Sequence, residues 1–208
     1  TLDRNIAFHT ALLNVHYRNT HQLSQLGIIP YGHALSELPL FLVQLISESL
    51  GKSTSIDGHP STTHNCPHIL HGQGPDAQHS FFQQLHQAQP PTPCEFIFTK
   101  PSTENQYHML QQICGQMVAL AHGKPSENHH HHFSGNRPSI LIYLKSQTPA
   151  ALGALIASYE NRVMFESLLL NINAFDQPGV ELGKSITKSI SNTSSDIASR
   201  LFQSITNE

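Results

Sequence analysis

The sequence has no tryptophan, only three cysteines, and charged side chains at only 12% of its positions. Each shortage closes off a class of protein. With 11 Lys and Arg against 14 Asp and Glu, the formal net charge is −3, so the basic footprint that nucleic-acid binding requires is missing. Cys66, Cys94 and Cys114 are odd in number and fall in no metal-ligand spacing. They read as buried, inert thiols of a reducing compartment, not as a disulfide framework. No run of about 18 apolar residues occurs, so no membrane-spanning helix is expected. No secretory leader is recognisable, and the cytoplasm is the expected location. Asn192-Thr193-Ser194 matches a glycosylation acceptor, which carries little weight without a secretory route.

Histidine is abundant instead, with 16 residues. Unperturbed imidazoles titrate near 6.5, so the surface charge should change strongly between about pH 7 and 5. The tract His129–His132 invites a metal reading. Four consecutive imidazoles on a loop do not readily close one tetrahedral site, so adventitious binding is expected and a functional metal is not.

A chain of 208 residues suits one large domain or two small ones. Residues 3–26 read as a helix, with Asp3 as N-cap, Ile6, Leu13 and Tyr17 at helical spacing, and Gly27 as the stop. A Pro-Tyr-Gly turn follows. Residues 36–50 read as a strongly apolar helix with Ser36 as N-cap, Pro39 in its first turn and Gly51 just past its end. Residues 52–78 form a long loop region with a strand at 66–70, and a helix is expected at 77–87. Strands at 94–98 and 139–144 flank a helix at 103–122 that stops at Gly123, followed by a loop at 124–138. A helix at 149–164, a mixed stretch at 165–178 and a terminal helix from about 178 complete the map. Strands alternating with helices predict an α/β layered fold with a parallel sheet.

Four blocks then carry a resemblance. FDQPGVELGK at 175–184 follows the pattern Phe-Asp-Gln, any residue, Gly-Val-Glu, two residues, Lys. GNRPSILIYLKSQTPAALGALIASYENRVMFE spans 135–166, and DAQHSFFQQLHQ at 76–87 precedes PCEFI at 93–97. QLISESLGK at 44–52 is the weakest of the four. In this order the blocks resemble the glucose-6-phosphate isomerase family, over about residues 5 to 190. The resemblance implies a three-layer αβα sandwich with a mostly parallel sheet, of the sugar-isomerase (SIS) type, plus a C-terminal helical arm. It maps residues 1–190 to the family's second domain with that arm and leaves 191–208 as a C-terminal helix or tail. The family's first domain, with its phosphate-binding loop and Gly-Gly-Arg motif, has no counterpart among these blocks.

The implied activity interconverts glucose 6-phosphate and fructose 6-phosphate through ring opening and a cis-enediol. Proton transfer between C2 and C1 needs one base that accepts and returns a proton, for which a carboxylate is suited. The resemblance assigns that base to Glu48, an active-site amide to Gln44 one helical turn earlier, ring opening to His79, and contact near the ring oxygen to Lys184. Glu48 near the end of an apolar helix suits a raised pKa. His79 in the first turn of its expected helix suits a neutral imidazole. In the family this His reaches the neighbouring subunit's site, so a homodimer is implied. No cofactor and no metal is implied, and the partners are a sugar-phosphate substrate and the family's N-terminal domain.

Asp176 and Glu181 read as structural, holding the start of the last helix, and Glu160 and Arg162 as packing and surface residues. Departures from the pattern are Gly74-Pro75-Asp76-Ala77 where Gly-Thr-Asn-Gly is usual, and Leu50 where Asn is usual. The alternative reading is a non-catalytic SIS-type module for sugar-phosphate binding or dimerisation, which would have no need of the base and the ring-opening pair.

Overall fold

The computed structural model describes residues 2–191 and 195–206; the glycosylation triplet at 192–194 lies outside the described residues. Two compact units divide the chain, Thr1–Ala174 and Phe175–Glu208.

The first unit is built on four parallel strands: β1 (Gln25–Pro30), β2 (His68–His71), β3 (Cys94–Thr99) and β4 (Ser139–Leu144), in the order β2-β1-β3-β4. Its helices are α1 (Ile6–Thr20), α2 (Leu38–Leu50), α3 (Gly74–Gln78), α4 (Phe82–Gln87), α5 (Glu104–His122) and α6 (Pro149–Leu169). Side chains alternate across each strand, and this alternation makes two cores. Leu26, Ile28 and Ile97 meet Leu42, Ile46 and Leu50 of α2 and Leu155, Tyr159 and Val163 of α6. Ile29, Phe96 and Phe98 meet Ala77 of α3, Phe82 and Leu85 of α4 and Ile113 and Leu120 of α5. The result is the three-layer sandwich that the resemblance implies. Every residue of β3 is buried, and each large apolar side chain sealed there contributes about 1.5–3 kcal/mol.

The helix ends follow local chemistry. Thr103 and Thr148 cap α5 and α6, accepting from the amides of Gln106 and Ala151. Gly123 ends α5 at φ 63, a backbone region that glycine enters without a steric penalty.

Several sequence expectations are corrected. The first helix stops at Thr20, because Gln22 takes φ 57 where a glycine would be the usual signal. The residues after it, read as a helix end and a turn, form β1 at the centre of the sheet. Asn5, not Asp3, caps α1 by accepting from the Phe8 amide. Its inward face carries Ala7, Ala11 and Arg18, while Ile6 and Leu13 are exposed. Ser36 ends a short 3-10 turn and does not cap α2. The helix expected at 77–87 is broken into α3 and α4, and α6 runs on to Leu169.

The second unit holds α7 (Pro178–Ser189) and α8 (Ile197–Thr206). Both carry exposed apolar residues, among them Val180, Leu182 and Ile186 on α7 and Leu201, Phe202 and Ile205 on α8.

Candidate active site

Gln44 and Glu48 lie four residues apart on α2 and are exposed, while Leu42, Ile46 and Leu50 are buried. Helical spacing therefore puts the amide and the carboxylate on one outward face. Leu40 and Phe41, exposed on the turn before Gln44, extend that face with apolar surface. Glu48 stands exposed to solvent in this chain, not in the apolar surroundings expected of its helix.

The end of α2 is tightly fixed. The Gly51 amide donates to the Ser47 carbonyl at 2.9 Å. A Cβ on Gly51 would sit 2.5 Å from that carbonyl oxygen, so the residue must be glycine. The Lys52 ammonium donates to the Glu48 carbonyl at 2.6 Å. Asn65, buried, donates to the Lys52 carbonyl at 2.8 Å and gathers Ser61 and Thr63 on its amide oxygen. The loop around Glu48 is thus an ordered support.

His79 is exposed and follows the last residue of α3, with its amide donating to the Asp76 carbonyl at 3.1 Å. It stands at the negative end of a five-residue helix, not in the first turn of a longer one. Gly74 packs so close to Tyr31 that a Cβ there would lie 2.0 Å from the ring. Gln78 donates to the Tyr31 hydroxyl at 3.0 Å. These contacts fix α3 beside the residue that follows β1.

Two ties locate Glu48 and His79 on the sheet. Asn65 and Cys66, which lead into β2, touch Lys52 and Ile46 at the far end of α2. Gly74 and Gln78, which follow β2, touch Tyr31 just past β1. Glu48 therefore lies toward the N-terminal edge of the strands and His79 toward the C-terminal edge. A six-residue strand such as β1 separates those edges by about 20 Å. The fold brings Gln44 and Glu48 together and keeps His79 away from them.

Lys184 belongs to the second unit, seven residues into α7, where its ammonium pairs with Glu181 at 2.9 Å in an exposed i,i+3 bridge. Glu181 stands in the first turn of α7, as expected, and is Lys184's partner.

Sequence reasoning did not find a buried charge network in the first unit. Glu95 of β3 accepts from the Tyr159 hydroxyl at 2.8 Å and from Arg162. Glu166 accepts from Arg18 and lies 3.5 Å from the Arg162 Nε. All four charged side chains are nearly sealed from solvent. Burial pulls the Arg162 guanidinium down, but Glu95, Tyr159 and Glu166 outweigh it and hold it above the usual arginine range. Burial, reinforced by Glu95, raises the Tyr159 phenol well above its ordinary value. Arg162, read as a packing or surface residue, is therefore a central buried ion. The available signal was Glu95 itself, a carboxylate inside an otherwise apolar strand, which requires a buried partner.

The thiols divide three ways. Cys94 is buried, Cys66 half-buried and Cys114 exposed. Burial, with Glu95 nearby, pushes the Cys94 thiol up to about 12. Among the described residues no group of three or more His, Cys, Asp or Glu side chains is placed to hold a metal ion. None of their helices is long and apolar enough to cross a membrane.

A four-stranded parallel sheet flanked by helices, with an amide and a carboxylate on one exposed helix face, defines a three-layer α/β domain. The whole chain, residues 1–208, matches the family model for phosphoglucose isomerase. A glucose-6-phosphate isomerase from Stenotrophomonas maltophilia is 43% identical over 193 residues, covering 91% of this chain and 38% of its own length. One from Treponema pallidum is 39% identical, covering 90% and 37%. The crystal structure of a glucose-6-phosphate isomerase from Chlamydia trachomatis superposes with a TM-score of 0.89 at 32% identity, over 98% of this chain and 41% of that one. The chain belongs to the phosphoglucose isomerase family. It spans about two fifths of the length of the curated relatives it matches.

Proposed function

We propose that this chain supplies the base-bearing part of an aldose–ketose isomerase that interconverts glucose 6-phosphate and fructose 6-phosphate. The observation that carries this reading is the pairing of Gln44 and Glu48 on one exposed face of α2 in a chain of this family. Glu48 removes the proton from C2 of the open-chain sugar and returns it to C1, passing through a cis-enediol. Gln44 holds a sugar hydroxyl one turn away. His79 and Lys184 act on the ring oxygen and the anomeric hydroxyl during ring opening.

The reading includes a homodimer in which His79 serves the neighbouring subunit's site. Placement of Glu48 and His79 toward opposite edges of the sheet supports it, because a neighbouring subunit is then the route by which a His79 meets Glu48. Residues 1–190 act as one functional unit, with 191–208 as a tail, in the cytoplasm. The exposed Leu40 and Phe41 beside Gln44 favour a further protein surface over this face, the position expected for the family's N-terminal domain. Without that domain's phosphate clamp, the chain alone is inactive or nearly so, since positioning supplies much of the rate.

The test is a coupled isomerase assay of the chain alone and mixed with a separately expressed N-terminal domain. Activity confined to the mixture, with Glu48→Gln lowering kcat by about 10²-fold or more, supports the reading. Strong activity of the chain alone would place the phosphate site within it and refute the division of labour. An assembled but inactive mixture would favour the non-catalytic module.

A further inference from the structure

Three arginines are buried in the first unit: Arg18, Arg137 and Arg162. Arg18 and Arg162 each meet a carboxylate. Arg137, only 3% exposed, has no carboxylate partner among the described residues. Its Nη1 donates to the Ala88 carbonyl at 2.8 Å, and its Nε is buried with no hydrogen-bond partner among the described residues. The Cys94 thiol, whose ionised form would favour the guanidinium, is held neutral by its own burial. The Ala88 carbonyl and the carboxyl end of α5 offer dipoles but no countercharge. A buried cation in that state is costly unless an anion joins it.

The backbone aims this side chain firmly. The amides of Asn136 and Arg137 donate to the Ala121 and Leu120 carbonyls in the last turn of α5, at 2.8 and 3.0 Å. Arg137 lines a cleft of about 640 Å³, within the range of small-molecule sites. Its polar wall is Tyr17, His21, Asn136, Arg137 and Ser139, and among the described residues no Asp or Glu lines it. Leu23, Pro91 and Met117 contribute an apolar wall. No lining residue belongs to α2, so the cleft is separate from the Gln44–Glu48 face.

We propose that this cleft is a binding site for a small organic anion, its phosphate or carboxylate head on Arg137 and its apolar body against Leu23 and Met117. A planar guanidinium recognises either head through paired N–H donors.

The test titrates the full chain with phenyl phosphate, benzoate and neutral benzyl alcohol, using calorimetry and the Arg137 Nε–H resonance. One or both anions should bind saturably, with Kd no weaker than about 1 mM, and shift that resonance; benzyl alcohol should do neither. The stronger of the two anions names the head group. Arg137→Gln should weaken binding at least about tenfold, and Glu48→Gln should leave it unchanged. Ala121→Trp, which fills the cleft and keeps the arginine, should abolish binding even where Arg137→Gln fails to fold. Anion binding that survives Ala121→Trp would overturn the proposal. So would an unmoved Arg137 resonance with no saturable binding, which would leave the guanidinium to a protein carboxylate.

Discussion

Arg162→Met is the sharpest probe of how this fold is held together. The substitution keeps most of the side-chain volume and removes the cation that faces Glu95. The Glu95 carboxylate is 2% exposed and would keep the Tyr159 hydroxyl at 2.8 Å. Glu166 would keep Arg18. Breaking a buried pair from one side costs about 3–5 kcal/mol, because the surviving charge stays desolvated. For a domain of ordinary stability that is about a fifth of the total or more. Urea unfolding followed by circular dichroism should show the midpoint falling by on the order of 1–2 M with an unchanged slope. The double variant Glu95→Met with Arg162→Met removes both charges and should recover most of the loss, leaving an unpaired Tyr159 hydroxyl at about 1–3 kcal/mol. A single variant within about 1 kcal/mol of the parent, or a double variant whose loss equals the sum of the singles, would refute the account.

Other outcomes follow from the same structure. Iodoacetamide at pH 8 should label Cys114 first, Cys66 slowly and Cys94 only on unfolding, as peptide mapping would show. The folded Cys94 thiol ionises near 12, above its ordinary value of 9.0, so the unfolded chain loses that proton first. Its contribution to stability is complete below about pH 9 and is lost as pH rises toward 12; the urea midpoint of the parent should fall faster over that window than that of Cys94→Ala. Gly74→Ala forces a methyl toward the buried Tyr31 ring and should cost about 1–3 kcal/mol in the same unfolding measurement. Thr148→Ala removes the acceptor for the Ala151 amide at 3.2 Å and should cost about 1 kcal/mol.

Elements that carry their own punctuation were legible in the sequence. Helix α5 has Thr103 and Gly123 at its ends, α6 starts at Thr148-Pro149, and β3 and β4 are apolar runs bounded by proline or polar residues. The strand β1 was not legible, because the break before it rests on Gln22 in a left-handed conformation and Gly27 resembles a stop. Gly27 is instead a packing requirement: a Cβ there would lie 3.0 Å from the Cys94 Sγ. The Gln44–Glu48 face was readable from helical spacing alone. The charge network was not, since Arg18 and Glu166 are 148 residues apart and Glu95 and Arg162 are 67 apart, and local pattern carries no information at that range. The position of His79 depended on a helix break at residues 79–81, which no glycine or proline marks.

The separation of Glu48 and His79 across the sheet has a genetic consequence. On the proposed reading, one active site draws Glu48 from one subunit and His79 from the other. A subunit damaged at Glu48 and a subunit damaged at His79 then form a mixed dimer in which one site carries both lesions and the other carries none. Two inactive alleles would restore activity when expressed together, and random pairing would leave about a quarter of all sites whole.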